Sequence, residues 1–145
     1  MKTCFLFGQH DAPEYIRERL CEELEKLVCL GDVTEMIVGH RGSFDAMATA
    51  AIQRVLRKKP EIYGRILVAY HESPDLLTLP ELFEGFYYPF QLYNVPKRYA
   101  IVKANQITLD GSDYLLTYCH RDRQERCHAD RRYEGSVLGQ VPGSR

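Results

Sequence analysis

The chain has 145 residues, 45% of them apolar and 27% charged, with a formal net charge of −1. Such a length and balance describe one globular domain with a core of its own, and exclude a disordered or low-complexity chain. The near-neutral charge argues against nucleic acid, which calls for a basic stripe, and no apolar run approaches the ~20 residues that span a bilayer.

Residues 3–7 form a continuous apolar run closed by Gly8, the pattern of a strand buried on both faces of a parallel sheet. This opening is too short for a signal peptide and is cut off by Gln9, His10 and Asp11. The cysteines number five, an odd count without secretory context, so the expectation is reduced thiols in a cytoplasmic protein. Asp11, Pro13 and Glu14 read as a helix start with Asp11 as its cap. Ile16, Leu20, Leu24, Leu27 and Val28 then fall on one helical stripe, and Gly31 is a plausible stop. Cys21 and Cys29 belong to this helix and are expected to pack.

Residues 35–38 read as a short second strand. After Gly39, His40, Arg41, Gly42 and Ser43 comes the clearest helix, in which Phe44, Met47, Ala48, Ala51, Ile52, Val55 and Leu56 keep the three-and-four spacing. Arg57, Lys58 and Lys59 complement its negative end, and Pro60 terminates it. Residues 65–70 read as a third buried strand. Residues 71–95 carry Pro74, Pro80, Pro89 and the aromatics Phe83, Phe86, Tyr87, Tyr88, Phe90 and Tyr93; they read as a long irregular connection that packs over the sheet edge or lids a site. Asn94, Val95 and Pro96 start a third helix running to about Leu109, and the turn at 110–113 leads into a fourth strand at 114–118. Beyond Cys119 the pattern fails. Residues 120–145 are charged, with only Val137, Leu138 and Val141 as aliphatics, and are expected to be a divergent tail, flexible or loosely docked.

Strands alternating with helices imply right-handed βαβ units: an α/β, Rossmann-like parallel sheet with helices on both faces, over residues 1–119, with the C-terminal elements incomplete. In such a sheet ligands sit beyond the C-terminal strand ends. Gly8, Gly39, His10, His71 and Glu72 fall at that edge. Gly39, Gly42 and Ser43 feed a helix N-terminus, which suits a phosphate, with Arg41 adding charge; the same glycines serve a plain strand-to-helix turn equally well. Asp45 is placed to contact a ribose or base, or simply to complement the helix dipole. Arg98 and Asn105 lie seven apart and share a helical face. Ser112 and Asp113 suit a turn at the opposite end of the sheet. Cys119, His120, Cys127 and His128 have the residue types of a zinc site but not a common spacing, so no metal or cofactor is expected.

Three stretches together resemble the SLOG superfamily, the Rossmann-like group that includes the DNA-processing protein DprA and the LOG phosphoribohydrolases. They are Cys-Phe-Leu-Phe-Gly-Gln-His-Asp at 4–11, Val-Gly-His-Arg-Gly-Ser-Phe-Asp-Ala-Met-Ala at 38–48, and Val-Pro-Lys-Arg-Tyr-Ala-Ile-Val at 95–102 through Asn105 to Ser-Asp-Tyr-Leu-Leu at 112–116. The resemblance implies a nucleotide or related phosphorylated small molecule as ligand, bound or sensed without turnover. Gly8, Gly39, Arg41, Gly42, Ser43, Asp45, Arg98 and Asn105 would form its site, and homo-oligomerisation stays open. The alternative is a nucleotide-processing hydrolase like the LOG enzymes. Their Gly-Gly-x-Gly-Thr-x-x-Glu pattern is not met here, since Ala46 stands three positions after Ser43. Gln9 and His10 also replace the family's usual His-Arg, and the residues from Arg121 onward do not resemble its closing helix and strand.

Overall fold

The computed structural model describes residues 2–70, 77–119 and 137–142. In chain order they form β1 (Lys2–Leu6), α1 (Arg17–Leu30), β2 (Val33–Val38), α2 (Gly42–Lys58), β3 (Tyr63–Leu67), β4 (Gly85–Tyr87), α3 (Lys97–Asp110), β5 (Tyr114–Cys119) and β6 (Val137–Pro142), with short 3-10 turns at Glu14–Ile16 and Phe90–Leu92. The sheet runs β4-β3-β2-β1-β5-β6. Strands β1 to β5 are mutually parallel, and β6 runs antiparallel to β5.

The continuous apolar runs of the central strands have a direct structural cause. Successive side chains point to opposite faces, and both faces are covered. Cys4, Leu6, Met36, Val38, Ile66, Leu116 and Tyr118 join the stripes of α1 and α2 in one core. The intervening Phe5, Ile37, Leu67 and Leu115 join Ala100 and Ala104 of α3, with Leu92, in the other. The two sides differ in what lies between helix and sheet. α2 buries Phe44, Met47, Ile52, Val55 and Leu56 beside Ala48 and Ala51, whereas α3 buries only the small residues Ala100, Ala104 and Thr108, at a spacing of four, and so lies close on the strands.

The structure corrects several element boundaries. Asp11 does not cap α1. The helix starts at Arg17, after the 3-10 turn, and its capping position is Ile16, which makes no side-chain cap bond. Pro13 is extended (φ −74°, ψ 151°) and holds the chain out of the helix; Glu14 instead pairs with Arg17. β3 begins at Tyr63, not 65, because its ladder to β2 pairs Tyr63 with Glu35, and it ends at Leu67, whose ladder partner is Tyr87. Within the stretch read as irregular, Gly85–Tyr87 forms a parallel edge strand in register with Arg65–Leu67. Val137–Pro142, in the segment where the pattern failed, pairs along the whole of β5, from Tyr114 with Pro142 to Cys119 with Val137. Cys21 packs against the first core as expected, whereas Cys29 is exposed, off the buried stripe of α1.

The close approach of α3 predicts an asymmetry in tolerance. Ala100→Leu, placed where Ala100 is 2% exposed, is expected to cost about 1–3 kcal/mol by overpacking. Cys29→Ser is expected to stay within about 0.5 kcal/mol of wild type. Urea unfolding of both variants measures this, and equal midpoints would show that α3 does not lie tight on the sheet.

Candidate functional site

From β1 the chain builds outward through β2, β3 and β4, then returns across the sheet by α3 to β5 on the other side of β1. At such a reversal the connections diverge beyond the C-terminal strand ends and leave a crevice. A cavity of about 360 Å³ occupies it. Its floor is apolar: Phe5 and Phe7 from β1 and its extension, Leu67 and Ala69 from the end of β3, and Ile101 and Ala104 from α3. The Phe5 and Phe7 rings stack with centroids 5.6 Å apart and planes at 21°. The rim is polar, with Gln9, His10, Asp11, His40, Arg41, Asp45 and Asn105.

Of the residues singled out in the sequence, Gly8, Gly39, Arg41, Asp45 and Asn105 line this cavity; Gly42, Ser43 and Arg98 do not. Gly42 has φ +89°, and a Cβ there would stand 2.4 Å from the carbonyl oxygen of His10. Glycine is therefore needed for the fit of α2 against the loop after β1, not for an open approach to a ligand. The Ser43 N–H donates to the His10 carbonyl at 2.7 Å, and its hydroxyl donates to the Ala12 carbonyl at 2.7 Å. The Arg41 N–H donates to the Asp45 carboxylate at 2.9 Å. These bonds give the head of α2 partners within the chain. Gly8 lies against the buried Phe44 ring.

Asp45 is held in a narrow place. A Cβ on Gly39 would stand 2.6 Å from Oδ2 of Asp45, so the absence of a side chain at 39 is what admits the carboxyl. Burial pushes its pKa up from 3.8 to about 7, against the lowering effect of the Arg41 N–H and the Arg41 charge. The Arg41 guanidinium donates to the Tyr70 hydroxyl at 2.8 Å. Lys97, from the first turn of α3, places Nζ 4.5 Å from the centroid of the same ring. Arg98 is exposed and lies over Tyr99.

Tyr70, Lys97 and Phe7 had not been singled out as site residues, and Gln9 only as a departure from the family pattern. The first two are brought together only by the crossing of α3 over the sheet, and neither carries a local motif. Phe7 was legible as a strand residue, and its place on the cavity side follows from alternation once the faces are known. None of the aromatics between Phe83 and Tyr93 lines the cavity. Phe83 is buried in the first core, while Phe90 and Tyr93 are exposed. Ser112 and Asp113 lie at the far end of the sheet, where the Asp113 carboxylate accepts the Thr3 N–H at 2.9 Å and ties β5 to β1. His71 and Glu72 lie outside the described residues, as do His120, Cys127 and His128 and the side chain of Cys119. Among the described residues no three His, Cys, Asp or Glu gather as a metal site, and no helix is long and apolar enough to cross a membrane. Burial pushes the Cys4 thiol up to about 12, which makes it an inert core residue.

No protein-family model matches the chain, and neither does any curated protein.

Two predictions follow from the head of α2. Gly42→Val is expected to destabilise the fold itself, through strain at positive φ and the clash with His10, so circular dichroism melting should fall before any ligand is added. Asp45 gives a pH dependence with a defined sign. Between 3.8 and about 7 the folded chain holds a proton that the unfolded chain has released. The associated stability is complete below the lower value, declines as pH rises, and is lost above about 7. Asp45→Asn keeps an acceptor for the Arg41 N–H without the charge. Its Tm relative to wild type should therefore rise between about pH 4 and pH 7 and level off above that, and a constant difference across this range would mean that Asp45 is ionised throughout.

Proposed function

We propose that the protein binds or senses a nucleotide, or a related phosphorylated small molecule, in the cavity at the strand-order reversal, as a non-enzymatic member of the SLOG superfamily. The observation that carries this reading is the Phe7 ring in the floor, backed by the buried Phe5 ring stacked on it, with Arg41 and Asn105 on the rim. Aromatic faces accept the planar, apolar part of such a ligand. A guanidinium suits a phosphate, and a carboxamide offers both donor and acceptor to a base edge or a sugar hydroxyl. The cavity volume falls within the range of small-molecule sites.

One observation favours the hydrolase reading. Asp45 lines the cavity and exchanges its proton near neutral pH, as a general acid or base must. Its carboxyl is, however, already engaged in holding the turn through the Arg41 N–H. Incubation with nucleoside monophosphates is expected to release no free base above a no-protein control. Release that Asp45→Asn abolishes would establish the enzyme instead.

Binding is tested by native mass spectrometry of freshly purified protein, followed by calorimetric titration against a nucleotide panel. Arg41→Ala, verified as folded, is expected to weaken binding by roughly tenfold or more. Undiminished affinity in that variant would remove Arg41 from the site, and a panel without any binder would overturn the nucleotide reading.

A further inference from the structure

Two cations converge on one phenol beside the cavity. The guanidinium carbon of Arg41 and Nζ of Lys97 stand 5.4 Å and 4.5 Å from the centroid of the Tyr70 ring. They come from the head of α2 and the head of α3, while Tyr70 follows the end of β3 and is one residue beyond Ala69 in the cavity floor. The first turn of α3 contains Lys97 and Arg98 but no acidic residue. Cations at the positive end of a helix dipole oppose it, so helix stability does not account for Lys97 being there. At the head of α2 the situation is reversed: the Arg41 and Ser43 N–H groups are taken by Asp45 and His10, and Gly42 is pressed against the His10 backbone.

We propose that the phosphate of the ligand is seated by Arg41 and Lys97 against Tyr70, at the rim of the cavity, and not on the N-terminus of α2. This rests on the reading of the cavity as a site for a phosphorylated small molecule, and it names the residues that select the phosphate. The chemistry is complementary. A guanidinium presents its N–H donors in a planar fork that matches phosphate oxygens, and one of them reaches the Tyr70 hydroxyl. The Tyr70 hydroxyl, accepting from Arg41, keeps its own proton to donate to a phosphate oxygen. Lys97 adds a point charge on a flexible stem that reaches the same place. A phosphate there leaves the ring-bearing part of the ligand to lie on Phe7.

The test uses the whole chain and three probes: inorganic phosphate, a nucleoside 5′-monophosphate, and the matching nucleoside. Nitrogen-15 NMR follows the Arg41 side-chain Nε–H and the amides of Gly42, Ser43, Tyr70 and Lys97. Phosphate and the monophosphate are expected to shift the signals of Arg41, Tyr70 and Lys97 and to leave those of Gly42 and Ser43 nearly unmoved. Lys97→Ala is expected to weaken the monophosphate by roughly tenfold while leaving the nucleoside unchanged. Lys103→Ala, the same charge change at an exposed position of the same helix, should alter neither. Tyr70→Phe should weaken the monophosphate by less than Lys97→Ala. Shifts centred on Gly42 and Ser43, or a Lys97→Ala protein that binds the monophosphate as tightly as wild type, would overturn the seat. Equal loss of monophosphate and nucleoside would overturn it as well, by showing that Lys97 acts only on the shape of the cavity. Phosphate shifts at the seat in a protein that binds no nucleotide would uphold the seat and refute the nucleotide reading. An absence of shifts with every phosphate-bearing probe would refute the seat, whatever else the cavity holds.

Discussion

The docking of the head of α2 onto the loop after β1 is the constraint on which the rest of the site depends. Four consecutive residues make it. Gly42 fits against the His10 backbone, Ser43 bonds the His10 and Ala12 carbonyls, Phe44 packs on Gly8, and Asp45 fills the space beside Gly39 while holding the Arg41 N–H. Each contact joins one strand-end loop to another or to itself. Together they fix the position of Arg41, and through it Tyr70 at the end of β3. Phe44 is fully buried, so this anchoring is continuous with the core and is not a surface ornament of the loop.

The cavity is a consequence of unequal side-chain sizes across one face of the sheet. On the side of α1 and α2 long aliphatic stripes fill the space to the strands. On the other side α3 presents Ala100 and Ala104, and the end of β3 presents Ala69, opposite the rings of Phe5 and Phe7. Near the middle of the sheet β1, β2, β3 and β5 fill the gap with Phe5, Ile37, Leu67 and Leu115. Beyond the strand ends, among the described residues, Phe7 and Tyr70 only partly cover it, and about 360 Å³ remains. The same small residues that let α3 lie close therefore leave room where the sheet ends.

Charge at the rim is arranged in two zones. Asp45 sits on the inner side, its proton held up by burial, with Asp11 and the two histidines nearby on the lining. The outer zone is Arg41 of the lining together with Tyr70 and Lys97, which gather beside the cavity on its guanidinium side. Arg41 belongs to both, since its backbone N–H serves the Asp45 carboxyl and its guanidinium serves Tyr70. An anion arriving at the outer zone and a proton leaving Asp45 would thus act on the same residue from its two ends.

Much of this was written locally. The unbroken apolar runs at 3–7 and 114–118 announced strands buried on both faces, and the stripes at Leu20, Leu24, Leu27 and at Met47, Ala51, Val55 announced their covering helices, because two- and 3.6-residue periods are properties of the chain itself. The ligand edge followed from those elements and the topology rule, which made Gly8, Gly39, Arg41 and Asp45 legible as candidates, while Asn105 came from the helical face it shares with Arg98 and from the family resemblance. What each glycine is for was not legible: a Gly-rich turn looks the same whether it admits a phosphate or the carbonyl of His10. The edge strands were also hidden. Gly85–Tyr87 is only three residues long, and Val137–Pro142 is interrupted by Gly139 and Gln140, so neither announces itself, and each exists as a strand because β3 or β5 offers it a ladder. The meeting of Arg41, Tyr70 and Lys97 depended on tertiary structure entirely. Those residues are far apart in the chain and share no period, and only the crossing of α3 over the C-terminal edge of the sheet brings their side chains to one place.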